Sequence, residues 1–384
     1  MSMAGLGSPY WYEWEIGLLE CLNMMRDVTV KSVVLQSSDF VSLDDVVVNY
    51  NDGSIVNIQV KHTDCNDNFT YSFLSSESES LLQKLSQEWL SKKKSNNIRE
   101  IRIVTNRKWG PVKSDGKCSF EDFVTKVFPI LQKDYDYDGQ DLSQELSVKW
   151  FKEQLVDLGE QAAEFVRILS FVKEGDLSSV NLEIGKKVAG ILGTDRKEPI
   201  KRATDSLLAK LEIWSTSRRK CQEIFRNDIY EALCVKSINL PKYELYPEKP
   251  IFPSRKSFVQ SFMSTIRLCD KKMYFLQGLP GSGKTNFVSY LAQLEDSIVD
   301  FRFYTYLPVN KEHPSFSDDE GFYSGDLLWG SILTQLKDKF EKIGKLYECE
   351  FPLIYSYLSV TEKREQVLKY LPIYANAIGR TCYV

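Results

Sequence analysis

Two apolar runs joined by Asn-Asp-Gly constrain this chain more than any other feature. Residues 44–61 read DDVVVNYNDGSIVNIQVK. Asn51-Asp52-Gly53 is a strong hairpin signal, because tight turns between antiparallel strands need residues that tolerate positive φ. Side chains on a strand alternate faces, so over 54–62 Gln59 and Lys61 share one face and Ile58 and Val60 the other. Over 44–50, Asp45, Val47 and Asn49 share a face and Asp44 takes the opposite one. The turn folds the strands back antiparallel. A carboxylate early in the first strand then approaches an amide and an amine late in the second.

The surrounding pattern is layered. Residues 11–25 predict a helix, with Trp14, Leu18, Leu22 and Met25 at helical spacing. VTVKSVVLQ (28–36) predicts a strand before the hairpin. Residues 78–94 predict a helix with Leu81, Leu82, Leu85 and Trp89 inward, and IREIRIVTN (98–106) a fourth strand. Helix, three strands, helix, strand is an α/β pattern rather than a bundle. From 119 to 235, FKEQL, EFVRILSFV, DSLLAKLEIW and CQEIFRNDIYEAL carry apolar residues three and four apart and predict a helical extension. INLPKYELYPEKPIFPSR (238–255) has four prolines and no periodicity, which marks a linker. The expected organisation is a core at 1–118, a helical extension at 119–237, a linker at 238–254 and a further α/β domain at 255–384.

Composition narrows the function classes. A net charge of −4 excludes a globally basic DNA-coating protein but leaves room for a locally basic groove. Eight cysteines without a CxxC pair, and only His62 and His313, do not form a structural zinc site. Free thiols without a framework suit a reducing cytoplasm. No apolar run approaches the length needed to span a membrane, and MSMAGLGSPYWYEWE is not a signal peptide.

GLPGSGKT (278–285) satisfies G-x-x-x-x-G-K-[ST] in full. Gly278, Gly281, Ser282 and Gly283 allow a tight loop whose amides face phosphate oxygens. Lys284 reaches the outer phosphates of ATP, and Thr285 offers its hydroxyl to nucleotide-bound Mg²⁺. A strand (KMYFLQ, 272–277) precedes the loop, and an amphipathic helix with Phe287, Val288, Leu291 and Leu294 follows, so the positive helix end faces the same anion. Hydrolysis also needs a carboxylate closing a second buried strand. Asp300 in IVDF comes early, and no other run supplies one, so NTP hydrolysis is expected only in a longer chain.

The hairpin parts are those of phosphodiester hydrolysis: hard oxygen ligands for Mg²⁺ or Mn²⁺ and a lysine beside the attacked phosphate. The YEW helix (12–14), DDVVV, IQVK and the IVTN strand resemble the PD-(D/E)xK nuclease superfamily in its D…QxK variant, found in Mrr-like and anti-phage effector nucleases. That resemblance implies a restriction-endonuclease-like mixed sheet and activity on double-stranded DNA. It makes Asp45 the main metal ligand with Asp44 as fallback, Gln59 a carbonyl ligand, Lys61 the catalytic lysine and Glu13 the helix carboxylate, with Glu15 also available. Gln59 replaces the commoner acid and removes one negative charge.

Residues 255–384 resemble the STAND class of P-loop NTPases. An Arg-led helix from Arg255 precedes the loop, and FRFYTYLP and GDLLWGSILTQLKDKF follow. In that class a Gly-Arg/Lys strand leads into the acidic motif, and here the chain ends at GRTCYV. The resemblance implies a homo-oligomeric ATP-dependent switch in anti-phage defence, triggered by a phage product through a C-terminal region beyond Val384. Two other readings stay open: a signalling NTPase with a non-catalytic first domain, and an ATP-driven restriction enzyme.

The run 91–117 holds nine Lys/Arg against two acids, as either a solvated face or the rim of a DNA groove. Arg218, Arg219 and Lys220 read as a solvated helix face. His62 points away from Lys61, and the aromatic cluster at 10–14 reads as core.

Overall fold

The computed structural model describes residues 8–37, 39–63, 67–75, 80–113, 115–216, 223–233, 253–268, 276–279, 281–291, 300–301, 303, 325–355 and 357–379. The chain divides into two compact units, one of residues 1–189 and 195–235 and one of residues 190–194 and 236–384.

The first unit opens with α1 (Ser8–Met24), followed by β1 (Val30–Leu35), β2 (Val46–Tyr50) and β3 (Ser54–Lys61). Then come α2 (Leu81–Lys92) and β4 (Asn97–Thr105). The expected helix-strand-strand-strand-helix-strand order is present. Gly53 takes φ +80° in the hairpin turn, and the Asp52 carboxylate accepts from Ser54 N at 2.8 Å, closing the turn with its own side chain. β2 and β3 pair antiparallel with Val46 opposite Ile58 and Val48 opposite Val56. β4 returns through α2 to lie parallel to β3, with Gln59 opposite Ile103 and Lys61 opposite Thr105.

The region 119–237 is mainly helical, but two of its segments become strands. In EFVRILSFV the helix α3 (Ala162–Ile168) gives way at once to β5 (Leu169–Lys173). After α4 (Leu177–Leu192) and α5 (Lys197–Thr216), β6 (Glu223–Ile224) precedes α6 (Arg226–Ala232). β5 pairs parallel with β4 and β6 antiparallel with β1, giving the order β5-β4-β3-β2-β1-β6. The physical reason is non-local. The open sides of β4 and β1 carry unpaired backbone groups, and a segment with Leu169, Phe171 and Val172 satisfies one of them while still fitting a helical spacing.

Strand alternation sorts the core into two layers. Leu35 and Val46 face α1, where a Cβ on Gly17 would come within 2.1 Å of Leu35 Cδ2 and 3.3 Å of Val46 Cγ2. α1 is buried on most sides, because α5 and α6 also pack on it. Val34, Val47, Ile101 and Ile103 face the other layer with Leu82, Leu85 and Trp89 of α2, and with Phe120, Phe123, Phe151 and Phe165.

In the second unit, α7 (Pro253–Leu268) and α8 (Lys284–Leu291) pack through Val259, Met263 and Ile266 against Phe287 and Leu291. Arg255 lies in α7. α9 (Gly325–Lys342) and α10 (Val360–Ile378) join through Phe340, Tyr370 and Tyr374. Asp300 and Phe301 are buried. Most of the expected strands at 272–277, 301–308 and 379–384, and of the expected linker, lies outside the described residues; Leu276, Gln277, Phe301 and Phe303 are described and carry no strand, and Gly379 instead caps α10 at φ +68°.

Candidate active site

The site forms where β2 begins and β3 ends. The hairpin register carries Asp45, one residue before β2, opposite Gln59. There the Asp45 carboxylate accepts from Gln59 Nε2 and, at 2.6 Å, from Val60 N. Gln59 is only 4% exposed, so its amide is committed to this arrangement. Lys61, two residues on, opens into the same cleft of about 870 Å³ as Asp44, Asp45 and Gln59.

Electrostatics tie Glu13 to the same point. Burial first, and then the Asp45 charge, push its carboxyl up to about 7 against the opposing Lys61. Burial likewise pushes Asp45 up to about 6, against the lowering by Lys61 and by the Val60 amide. Asp44 is also raised, chiefly by burial, with Glu88 adding and Lys61 opposing. Glu13, on α1, thus feels the charges of the strand-end groups but is not among the residues that line the cleft.

Several expectations sharpen here. Of the two first-helix acids, Glu15 turns to α4, where Asn181 Nδ2 donates to both its oxygens at 3.1 and 2.9 Å. Two residues along a helix is a rotation of about 200°, so Glu13 and Glu15 cannot serve one site. The alternation that would put Asp44 on the far face does not apply, because β2 begins only at Val46, and both Asp44 and Asp45 line the cleft. Tyr12 is fully buried, its hydroxyl donates to Gly175 O at 3.0 Å, and its ring lies 4.6 Å from that of His62. Both are built into the support of the site.

The basic run separates into roles that no linear reading distinguishes. Lys93 pairs with Glu164 at 2.5 Å, and Arg102 bridges Glu20 and Glu100 at 3.0 and 2.9 Å. The Arg99 guanidinium carbon lies over Tyr50, 3.4 Å from the ring centre. Arg107 alone of these four lines the cleft, together with Lys84, Asn68 and Thr70. The last two carry no motif at all. Arg218, Arg219 and Lys220 lie outside the described residues.

The donor set suits a hard cation. Asp45 and Asp44 offer carboxylate oxygens to the cleft and Gln59 an amide, and burial, which raises both acids, is a cost that a divalent ion beside them offsets. Among the described residues no group of three His, Cys, Asp or Glu side chains stands together to hold a metal ion, so a cation here would rest on the Asp45 carboxylate and the Gln59 amide oxygen with water completing its shell.

In the second unit, Gly281 and Gly283 take φ +77° and +83°, and a Cβ on Gly278 would press within 2.8 Å of Ser282 Oγ. The loop closes onto the N-terminus of α8. Lys284 Nζ donates to Gly278 O at 2.7 Å and Leu279 O at 2.9 Å, and the loop borders a cavity of about 220 Å³. The Thr285 side chain lies outside the described residues.

The first unit is thus an α/β domain with paired acids, an amide and a lysine gathered at one strand end. Residues 8–211, just over half the chain, match the family model described as Cap4, dsDNA endonuclease domain, and the chain belongs to that family. Solved structures similar to it include the Acinetobacter baumannii Cap4 SAVED/CARF-domain containing receptor with the cyclic trinucleotide 2'3'3'-cAAA. That structure is 14% identical, with 61% of this chain and 45% of that one covered, at a TM-score of 0.37. The same receptor without a named ligand is 15% identical, with 61% and 47% covered, at a TM-score of 0.34. The chain therefore spans under half the length of these structures. A comparison with curated proteins returned no match. Among the described residues no helix is long and apolar enough to cross a membrane.

Proposed function

We propose that the first unit is a Mg²⁺- or Mn²⁺-dependent endonuclease for double-stranded DNA whose centre is Asp45, Gln59, Lys61 and Glu13. The observation that carries this reading is that Asp45, Gln59 and Lys61 line one cleft in a domain of the Cap4 nuclease family, with Glu13 near enough to feel the charges of Asp45 and Lys61. Asp45, Gln59 through its carbonyl oxygen, and Glu13 would hold the metal, with Asp44 as the fallback ligand. When bound, such a metal would activate water and offset charge on the attacked phosphate. Lys61 orients the attacking water and balances the phosphate charge from the protein side. The buried amide–carboxylate pair Gln59–Asp45 keeps the carboxylate in place between turnovers.

The second unit is proposed as a STAND-type switch that binds ATP through Gly278, Gly281, Ser282, Gly283, Lys284 and Thr285. ATP would help assemble a homo-oligomer, and a phage-derived trigger would set the switch. The biological role is then cytoplasmic anti-phage defence by DNA degradation.

The test is plasmid cleavage with Mg²⁺ and ATP, comparing wild type, Lys61→Ala and Asp45→Ala, with EDTA as control. Each substitution is expected to lower the rate on the order of a hundredfold or more. Cleavage by both variants at the wild-type rate would remove the catalytic assignment.

A further inference from the structure

Arg107 is held in an unusual state for an arginine of the cleft wall. Its side chain is 16% exposed, and Nε is buried without a hydrogen-bond partner. Its one carboxylate neighbour, Asp67, is 64% exposed and stays 3.8 Å from Nη1, beyond hydrogen-bond reach. The guanidinium carbon lies 4.6 Å from the centre of the Phe73 ring, which supports the plane from one side. Among the described residues, then, a fixed planar cation with five donors makes no side-chain hydrogen bond. A buried donor left in that condition costs free energy.

The backbone explains why this cost is tolerated where it is. Thr105 Oγ1 donates to Lys61 O at 2.6 Å and accepts from Arg107 N at 3.1 Å. Asn106 clamps Thr63 through its N–H at 3.0 Å and its C=O at 2.7 Å. The segment 105–107 is therefore tied to the end of β3, and Arg107 is held at a set offset from Lys61. A guanidinium fork, pre-ordered on an aromatic shelf and short of acceptors, matches a phosphodiester better than any group the cleft itself supplies.

We propose that Arg107 binds a backbone phosphate of duplex DNA beside the scissile one, with Asp67 as a loose counter-ion that the phosphate displaces. The proposal rests on the nuclease reading and adds to it the residue that registers the strand against Lys61. Arg99, Arg102 and Lys93 are excluded from that role because acids or Tyr50 already occupy them.

The test measures binding of a labelled duplex oligonucleotide over a salt titration, in the full chain carrying Lys61→Ala so that cleavage does not intervene. Arg107→Gln in that background should weaken binding roughly tenfold and reduce the salt slope by about one. Arg107→Lys should keep the slope yet lose affinity, since charge remains and the fork is gone. Asp67→Asn should tighten binding, which no damage to folding would produce. A wild-type chain that cuts DNA, with Arg107→Gln leaving affinity and slope unchanged, overturns the Arg107 assignment and leaves the nuclease reading intact. A Lys61→Ala chain that binds no duplex at low salt, together with a wild type that does not cut, removes both.

Discussion

At the scale of single residues, the site is a balance between desolvation and mutual charge. Glu13 and Asp45 are both raised in the folded chain, Glu13 from 4.5 to about 7. A raised acid favours the protonated form in the fold, so its contribution is fully present at low pH and is lost as pH rises through the folded value. In chelator, the window for Glu13 runs from about 4.5 to about 7. The metal-free protein is therefore expected to lose melting temperature across that window, and Glu13→Gln to flatten part of the fall. A variant with the wild-type slope would mean that burial does not raise the Glu13 carboxyl in the fold. Mg²⁺ should act in the opposite sense, stabilising more at pH 8 than at pH 5, because its ligands must be ionised.

At the scale of elements, the geometry depends on how closely α1 lies on β1 and β2. Gly17 is the contact point, with Leu35 and Val46 against its backbone. Replacing a helical glycine gains at most about 1 kcal/mol in propensity, and less for a β-branched residue. Overpacking at a buried contact costs roughly 1–3 kcal/mol. The second effect wins, so Gly17→Val should lower stability by about 1–2 kcal/mol in a denaturant titration. Because α1 also carries Glu13, the variant should bind Mg²⁺ more weakly than wild type even under conditions where it is fully folded. Unchanged stability and metal affinity would mean that α1 is free to shift without consequence for the site.

At the scale of the whole molecule, two units with separate cores predict separable responses. Lys284 is satisfied by its own loop carbonyls at Gly278 and Leu279, and phosphate oxygens are the stronger acceptors. Saturating ATP with Mg²⁺ should therefore raise a melting transition by an amount worth about 2.7 kcal/mol at a hundred times Kd. Lys284→Ala should abolish that shift and leave metal binding at Asp45 unaltered. An equal shift in both proteins would place the nucleotide elsewhere.

How much of this was legible beforehand follows from the range of each interaction. Turn chemistry at Asn51-Asp52-Gly53, strand alternation and helical spacing are local, so the sequence by itself determined the order from α1 to β4 and the meeting of Asp45, Gln59 and Lys61. Nothing local tells Leu169–Lys173 that the open side of β4 awaits it, or Glu223–Ile224 that β1 does. Those strands read as helix because their spacing allows both, and pairing across the chain decided between them. The same holds for side chains. Glu13 was the expected helix carboxylate with Glu15 also available, and the rotation of α1 turned Glu15 to Asn181 and left Glu13 within reach of the Asp45 charge; the clustered cations were equivalent until their partners separated them. Residue type and spacing set which groups could act, and only the tertiary structure decided which of them stand together, because burial and pairing are properties of neighbours that arrive from far along the chain.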